Sequence, residues 1–155
     1  MLSFSLKTLM ILMIFGLLSA CSTLSTSSSE TFEWMGKADQ AYAQGRWLEA
    51  EKWYQKIIVQ VPRDHYTWFR LGNTQLRLGN LDGAIYSYEE SKKWNSRHSK
   101  THYNLALAHM MKAQESLISA KNSMRKSDDA YETVVLKLED VTHYISPPIK
   151  ETKTD

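Results

Sequence analysis

Two residue types in this chain stand out as candidates for chemistry: a single cysteine, Cys21, and five histidines, three of which crowd into one stretch. His98 and His102 stand four apart and would share one face of a helix, with His109 two turns further on. Zinc needs three or four ligands, and a catalytic zinc also needs a general base close by. The simpler reading of these histidines is two partly buried rings, His102 and His109, and a surface one, His98. No Gly-rich phosphate loop, no nucleophile elbow and no carboxylate pair at acid/base spacing is present in the sequence. The chain is therefore not expected to be an enzyme, and no catalytic residue, metal ligand or cofactor is assigned.

Cys21 is different. A lone thiol has no internal disulfide partner in an oxidising compartment, and the residues before it point to such a compartment. Lys7 supplies a short positive region, Leu9 to Leu18 is an apolar run, and Ser19-Ala20 are the small residues of a cleavage site. A spanning helix needs roughly 20 apolar residues, and this run stops at about half of that. Residues 1–20 thus read as a signal peptide. Leu18-Ser19-Ala20-Cys21 resembles the lipobox of bacterial lipoprotein precursors. The resemblance implies cleavage before Cys21, a diacylglyceryl thioether on its sulfur, and acylation of the new amino group, with palmitate as a typical chain. Two chains, at about 0.8 kcal/mol per buried methylene, hold a protein stably on a membrane. Ser22 stands where an Asp would resemble an inner-membrane retention signal, so for a Gram-negative source the expected location is the periplasmic face of the outer membrane.

Removing residues 1–20 takes away only Lys7, which leaves 18 basic against 17 acidic side chains. That balance does not point to nucleic acid or to an anionic surface as a partner. After the cysteine the chain reads STLSTSSSET, so residues 21–31 are expected to be a flexible tether reaching about 17 to 19 Å. The part expected to fold, about 115 residues from Phe32, suits one domain.

From Trp34 onward the sequence aligns with itself at a spacing of 34: Trp34 with Trp68, Ala38 with Gly72, Gly45 with Gly79, Ala50 with Ala84, and Tyr54 with Tyr88. These pairs resemble the tetratricopeptide repeat. The second repeat carries Trp68, Leu71, Gly72, Gly79, Ala84 and Tyr88; the first carries Trp34, Ala38, Gly45, Ala50, Tyr54 and Pro62, with Lys37 where the family usually has Leu. Small residues at Ala38, Gly72, Ala106, Ala50 and Ala84 allow close helix approach, and Gly45 and Gly79 can take the positive φ of a turn. Asp64 is placed to cap a helix. Trp34 and Trp68 are read as filling the gap between helices.

The third repeat decays. Leu105 and Ala106 fit, but His102 replaces the Trp, Ala113 replaces the turn Gly, and Asn122 and Arg125 replace an aromatic and a small residue. Either one helix runs on from Ser99, or a weak second helix covers about 115–125. Beyond it Tyr131, Val134, Val135, Leu138, Val141 and Ile145 recur at helical spacing after Ser127-Asp128-Asp129, a capping signal, and Pro147-Pro148 ends the pattern. The expected fold is all-α: tetratricopeptide-type hairpins over 32–126, two clear and one degenerate, a capping helix over 127–146, and a disordered tail over 147–155.

The resemblance also implies where a partner would bind, on the concave face lined by the first helix of each pair. Its positions are Phe32, Met35, Asp39 and Tyr42, then Tyr66, Phe69, Asn73, Leu76 and Arg77, then Lys100, Tyr103, Leu107 and Met110. This strip is rich in aromatics and Met, as partner sites are. Repeat domains that grip the carboxylate of chaperone tails resemble one another in a Lys and an Asn on the first inner helix, where this chain has Met35 and Asp39. Lys100 and Asn73 alone make no such clamp. Small lipoproteins of this plan resemble pilotins and assembly lipoproteins of pilus and secretion systems, which implies a lipid-anchored adaptor for a protein partner of the cell envelope. An adaptor for peptidoglycan hydrolases or synthases is the alternative.

Overall fold

A computed structural model describes residues 22–145. Residues 1–21, on which the expected signal peptide, cleavage point and lipidated Cys21 fall, and the tail from 146 lie outside them. Six helices follow in order: α1 (Ser22–Ala43), α2 (Trp47–Gln60), α3 (His65–Arg77), α4 (Leu81–Trp94), α5 (Ser99–Ser123) and α6 (Tyr131–Ile145). Each packs on its neighbours in sequence, so α1/α2, α3/α4 and α5/α6 form three stacked hairpins. The fold is all-α, built of tetratricopeptide-type hairpins.

The repeat positions behave as their chemistry requires. Gly45 and Gly79 take φ of 72° and 74°, closing the first two hairpins. Ala38, Ala50 and Ala84 are fully buried, and a Cβ built on Gly72 would lie 2.6 Å from Tyr88 Cε1, so only Gly lets that ring close over α3. Asp64 caps α3, accepting from the backbone N–H of Tyr66 and Thr67 at 3.3 and 3.0 Å. Trp34 and Trp68 are half-buried rather than central; Trp68 Nε1 donates to the Pro62 carbonyl at 2.8 Å. Lys37 is exposed, paired with Glu33 and lying over Trp53, whereas Leu71 at the same position of the next repeat is buried against the first hairpin. That position faces the preceding hairpin, and among the described residues none precedes the first.

One open alternative is decided, that of the third repeat, and three expectations are corrected. Residues 22–31 are the start of α1, not an irregular tether. The third repeat has no separate second helix at 115–125: with Ala113 at the turn position, α5 continues to Ser123, and α6 is its antiparallel partner. Ala106, matched to Gly72, is exposed, because the residue matched to Tyr88 lies further along the same helix and cannot fold over it. Asp128 does not cap α6; its carboxylate accepts the Arg125 N–H at 3.0 Å, in the turn before Tyr131. The six apolar positions expected along α6, from Tyr131 to Ile145, are all half-buried.

Candidate partner-binding groove

The inner helices α1, α3 and α5 place side chains three and four residues apart on one face. Tyr42 from α1, Asn73, Leu76 and Arg77 from α3, and Asn104, Leu107 and Met111 from α5 converge on a concavity of about 390 Å³, with Ile145 at the end of α6 as one wall. Tyr42 is held edge-on to Trp47 at 5.0 Å, and the Arg77 guanidinium lies 5.8 Å from the same indole. The lining thus combines an apolar wall of Leu76, Leu107, Met111 and Ile145 with two amides, a phenol and one exposed cation.

Below this floor runs a polar ladder that repeats with the sequence. In the first step Tyr54 Oη donates to Asp39 Oδ1 at 2.5 Å, and Arg70 reaches the same oxygen through Nη2 at 2.8 Å and Tyr54 Oη through Nε at 3.0 Å. Arg70 also stacks over Tyr42 at 4.1 Å. Thirty-four residues on, Tyr88 Oη donates to Asn73 Oδ1 at 2.9 Å, and Asn104 Nδ2 to the same atom at 2.7 Å. Asp39, Tyr54 and Arg70 thus recur as Asn73, Tyr88 and Asn104, an ionic rung followed by a neutral one. Burial, reinforced by the Asp39 carboxylate, pushes the Tyr54 phenol well above the usual tyrosine range, and burial does the same to Tyr88. Both stay protonated donors, which keeps the ladder intact across ordinary pH.

Of the residues expected on the groove, Tyr42, Asn73, Leu76, Arg77 and Leu107 line the concavity together. Phe32, Tyr66, Lys100 and Tyr103 are exposed but do not line it, and Met35 packs against the core of the first hairpin. Met110 is half-buried beside the lining Met111, and Asp39 is committed to Arg70 and Tyr54. Phe69 is the clear correction: it is 8 % exposed, with Tyr88 and His98 against its ring, so it belongs to the joint between hairpins and not to an open surface. Asn104, Met111 and Ile145 were missed. Asn104 had a signal, since it stands 34 residues after Arg70 and 31 after Asn73; Ile145 had none, because only the return of α6 brings it there.

The histidine reading is reversed. His98 is turned inward, whereas His102 and His109 are exposed. Among the described residues no group of three or more His, Cys, Asp or Glu is placed to hold a metal, and no helix is long and apolar enough to cross a membrane.

No protein-family model matches this chain, and no curated protein matches its sequence. Among solved structures it is similar to the TPR2B domain of yeast Sti1 in complex with pHsp70: TM-score 0.53, 14 % identity, covering 75 % of this chain and 98 % of that one. At that identity the likeness establishes the tetratricopeptide fold.

Proposed function

We propose that this protein is a lipid-anchored adaptor that binds a protein partner of the bacterial envelope in the groove between α1, α3 and α5. One observation carries the reading: three successive inner helices and the end of α6 build a single concavity whose apolar wall is edged by the amides of Asn73 and Asn104 and by Arg77. Such a lining takes an extended segment, with an apolar side chain against Leu76 and Leu107 and backbone carbonyls against the amides. The similar solved domain is itself in complex with pHsp70, which agrees with this use of the fold. The lipobox-like residues before Cys21 support attachment to the membrane, and Ser22 supports the outer membrane of a Gram-negative cell. Partners in pilus, secretion or other envelope-assembly machinery fit this plan.

Two experiments test the two halves. Labelled palmitate should enter the wild-type protein and not Cys21→Ala; equal labelling removes the anchor from the proposal. A photocrosslinking residue at Leu107, inside the groove, should capture one envelope protein, and Leu76→Asp should abolish that product, while the same probe at exposed Leu48 on α2 should not capture it. Equal products from both positions would remove the groove.

A further inference from the structure

Where the second hairpin meets the third, α3 and α5 start side by side, and a histidine stands at each start. His65 is the first residue of α3 and His98 the N-cap of α5, with ring centroids 5.3 Å apart and the edge of Phe69 against His98 at 4.8 Å. The hydrogen bonds determine which nitrogens carry protons. Ser91 Oγ donates to the His65 carbonyl at 2.8 Å, so in its 3.0 Å contact with Thr101 the threonine hydroxyl must be the donor. His98 Nδ1, 2.7 Å from that same hydroxyl, is therefore the donor to it. On the other side Asn95 Oδ1 accepts the Arg97 N–H at 3.1 Å, which turns its Nδ2 toward His65 Nε2 at 3.2 Å. His65 thus carries its proton on Nδ1, the one buried side-chain polar atom without a partner among the described residues.

The previous repeat builds this turn differently. Asp64 stands 34 residues before His98, and its carboxylate accepts from both the backbone and the hydroxyl of Thr67, the counterpart of Thr101. A carboxylate suits the positive end of a helix; an imidazolium opposes it. Around His98 the titratable groups are His65 on α3 and Lys100 and His102 on α5, while the end of α4 offers the uncharged Ser91 and Asn95. Glu90 and Lys93 on α4 pair with each other. Burial first, and then these cationic neighbours, hold the His98 imidazole below the usual histidine range.

We propose that His65 and His98 form an acid-sensitive joint between the second and third hairpins: neutral rings hold α5 against α3, and proton uptake at His98 loosens them. The joint lies on the same pair of helices that brings Asn104 to Asn73 and Leu107 to Leu76, so acid would also widen the groove. The inference adds regulation to the partner-binding reading, and its test needs no partner.

The test follows melting of the mature chain from pH 8 to pH 5, beside His98→Asp, which copies the Asp64 cap. Because the folded-state value of His98 is depressed, the unfolded chain takes up this proton first as pH falls through about 6.5. Wild-type stability should be flat above that pH and decline below it, and His98→Asp should lose several degrees less over the same range. NMR titration of the wild type should give a His98 midpoint below about 6.5, with amide protection factors in the first turn of α5 falling in acid more than those in α2. Equal pH slopes for the two proteins, or a His98 midpoint at or above that value, would overturn the proposal. The wild-type titration decides the matter if His98→Asp does not fold.

Discussion

In the second hairpin Gly79 turns the chain at φ 74° and Tyr88 folds back over Gly72; in the third, Ala113 stands at the turn, α5 runs on to Ser123, and nothing covers Ala106. The consequence is a difference in packing. The first two hairpins hold the fully buried Tyr54, Ile57 and Tyr88, whereas no residue after Ala108 is buried among those described. α6 contributes only half-buried side chains. With Ala113 in place of a turn glycine and Asn122 in place of a second Tyr88, the third repeat does not close on its own core but opens into a long, lightly packed hairpin whose far end reaches the groove.

This contrast can be broken most directly at the aromatic positions. Tyr88→Ala should lower stability by about 3 to 5 kcal/mol through the cavity it leaves, and Tyr131→Ala, half-buried on α6, by about 1 kcal/mol, since it gives up only part of a buried ring's worth. Similar losses in urea melts would mean that the third hairpin is as well packed as the second. Next in size is Phe69→Ala, expected to lose about 3 kcal/mol and to release α5 first, because the ring joins Tyr88 to His98. Hydrogen exchange that stays unchanged in α5 would place Phe69 outside the joint. Gly72→Leu should cost about 1 to 3 kcal/mol through overpacking against Tyr88, whereas the matched Ala106→Leu should stay within about 0.5 kcal/mol. Equal melting temperatures for these two variants would show that the register between hairpins is wrong. The smallest change sharpens the comparison: Ala113→Gly should remove about 1 kcal/mol by weakening the continuous α5. A gain in stability would instead mean that the third repeat is waiting for its turn residue.

Much of this was legible because each repeat position has a local physical demand. A turn at positive φ asks for Gly45 and Gly79, close approach asks for Ala38 and Gly72, and a helix start asks for Asp64; residue type alone answers each. The apolar stripe of α6 was legible for the same reason, since helical spacing needs no neighbour to be seen. Phe69 was misplaced because a register assigns a face, and whether that face meets solvent depends on how far the next hairpin leans across it. The histidines were inverted for a related reason: His98 stands at a cap, and a cap becomes buried only when a second helix starts beside it. Residues 22–31 carry no helical pattern and few strong helix formers, yet they continue α1, and nothing in their composition announced it.

The sequence by itself determined the class of fold, the 34-residue period and the identity of the inner helices, because these follow from side-chain size, backbone freedom and periodicity acting within a few residues. Tertiary structure alone decided which members of the inner strip meet in one concavity, that Asp39 is spent on Arg70 and Tyr54, that Ile145 closes the groove, and that His65 meets His98. These are contacts between residues 15 or more apart, and most of them depend on the angle at which one hairpin stacks on the next, a quantity set by the summed packing of many side chains and written in no single one of them.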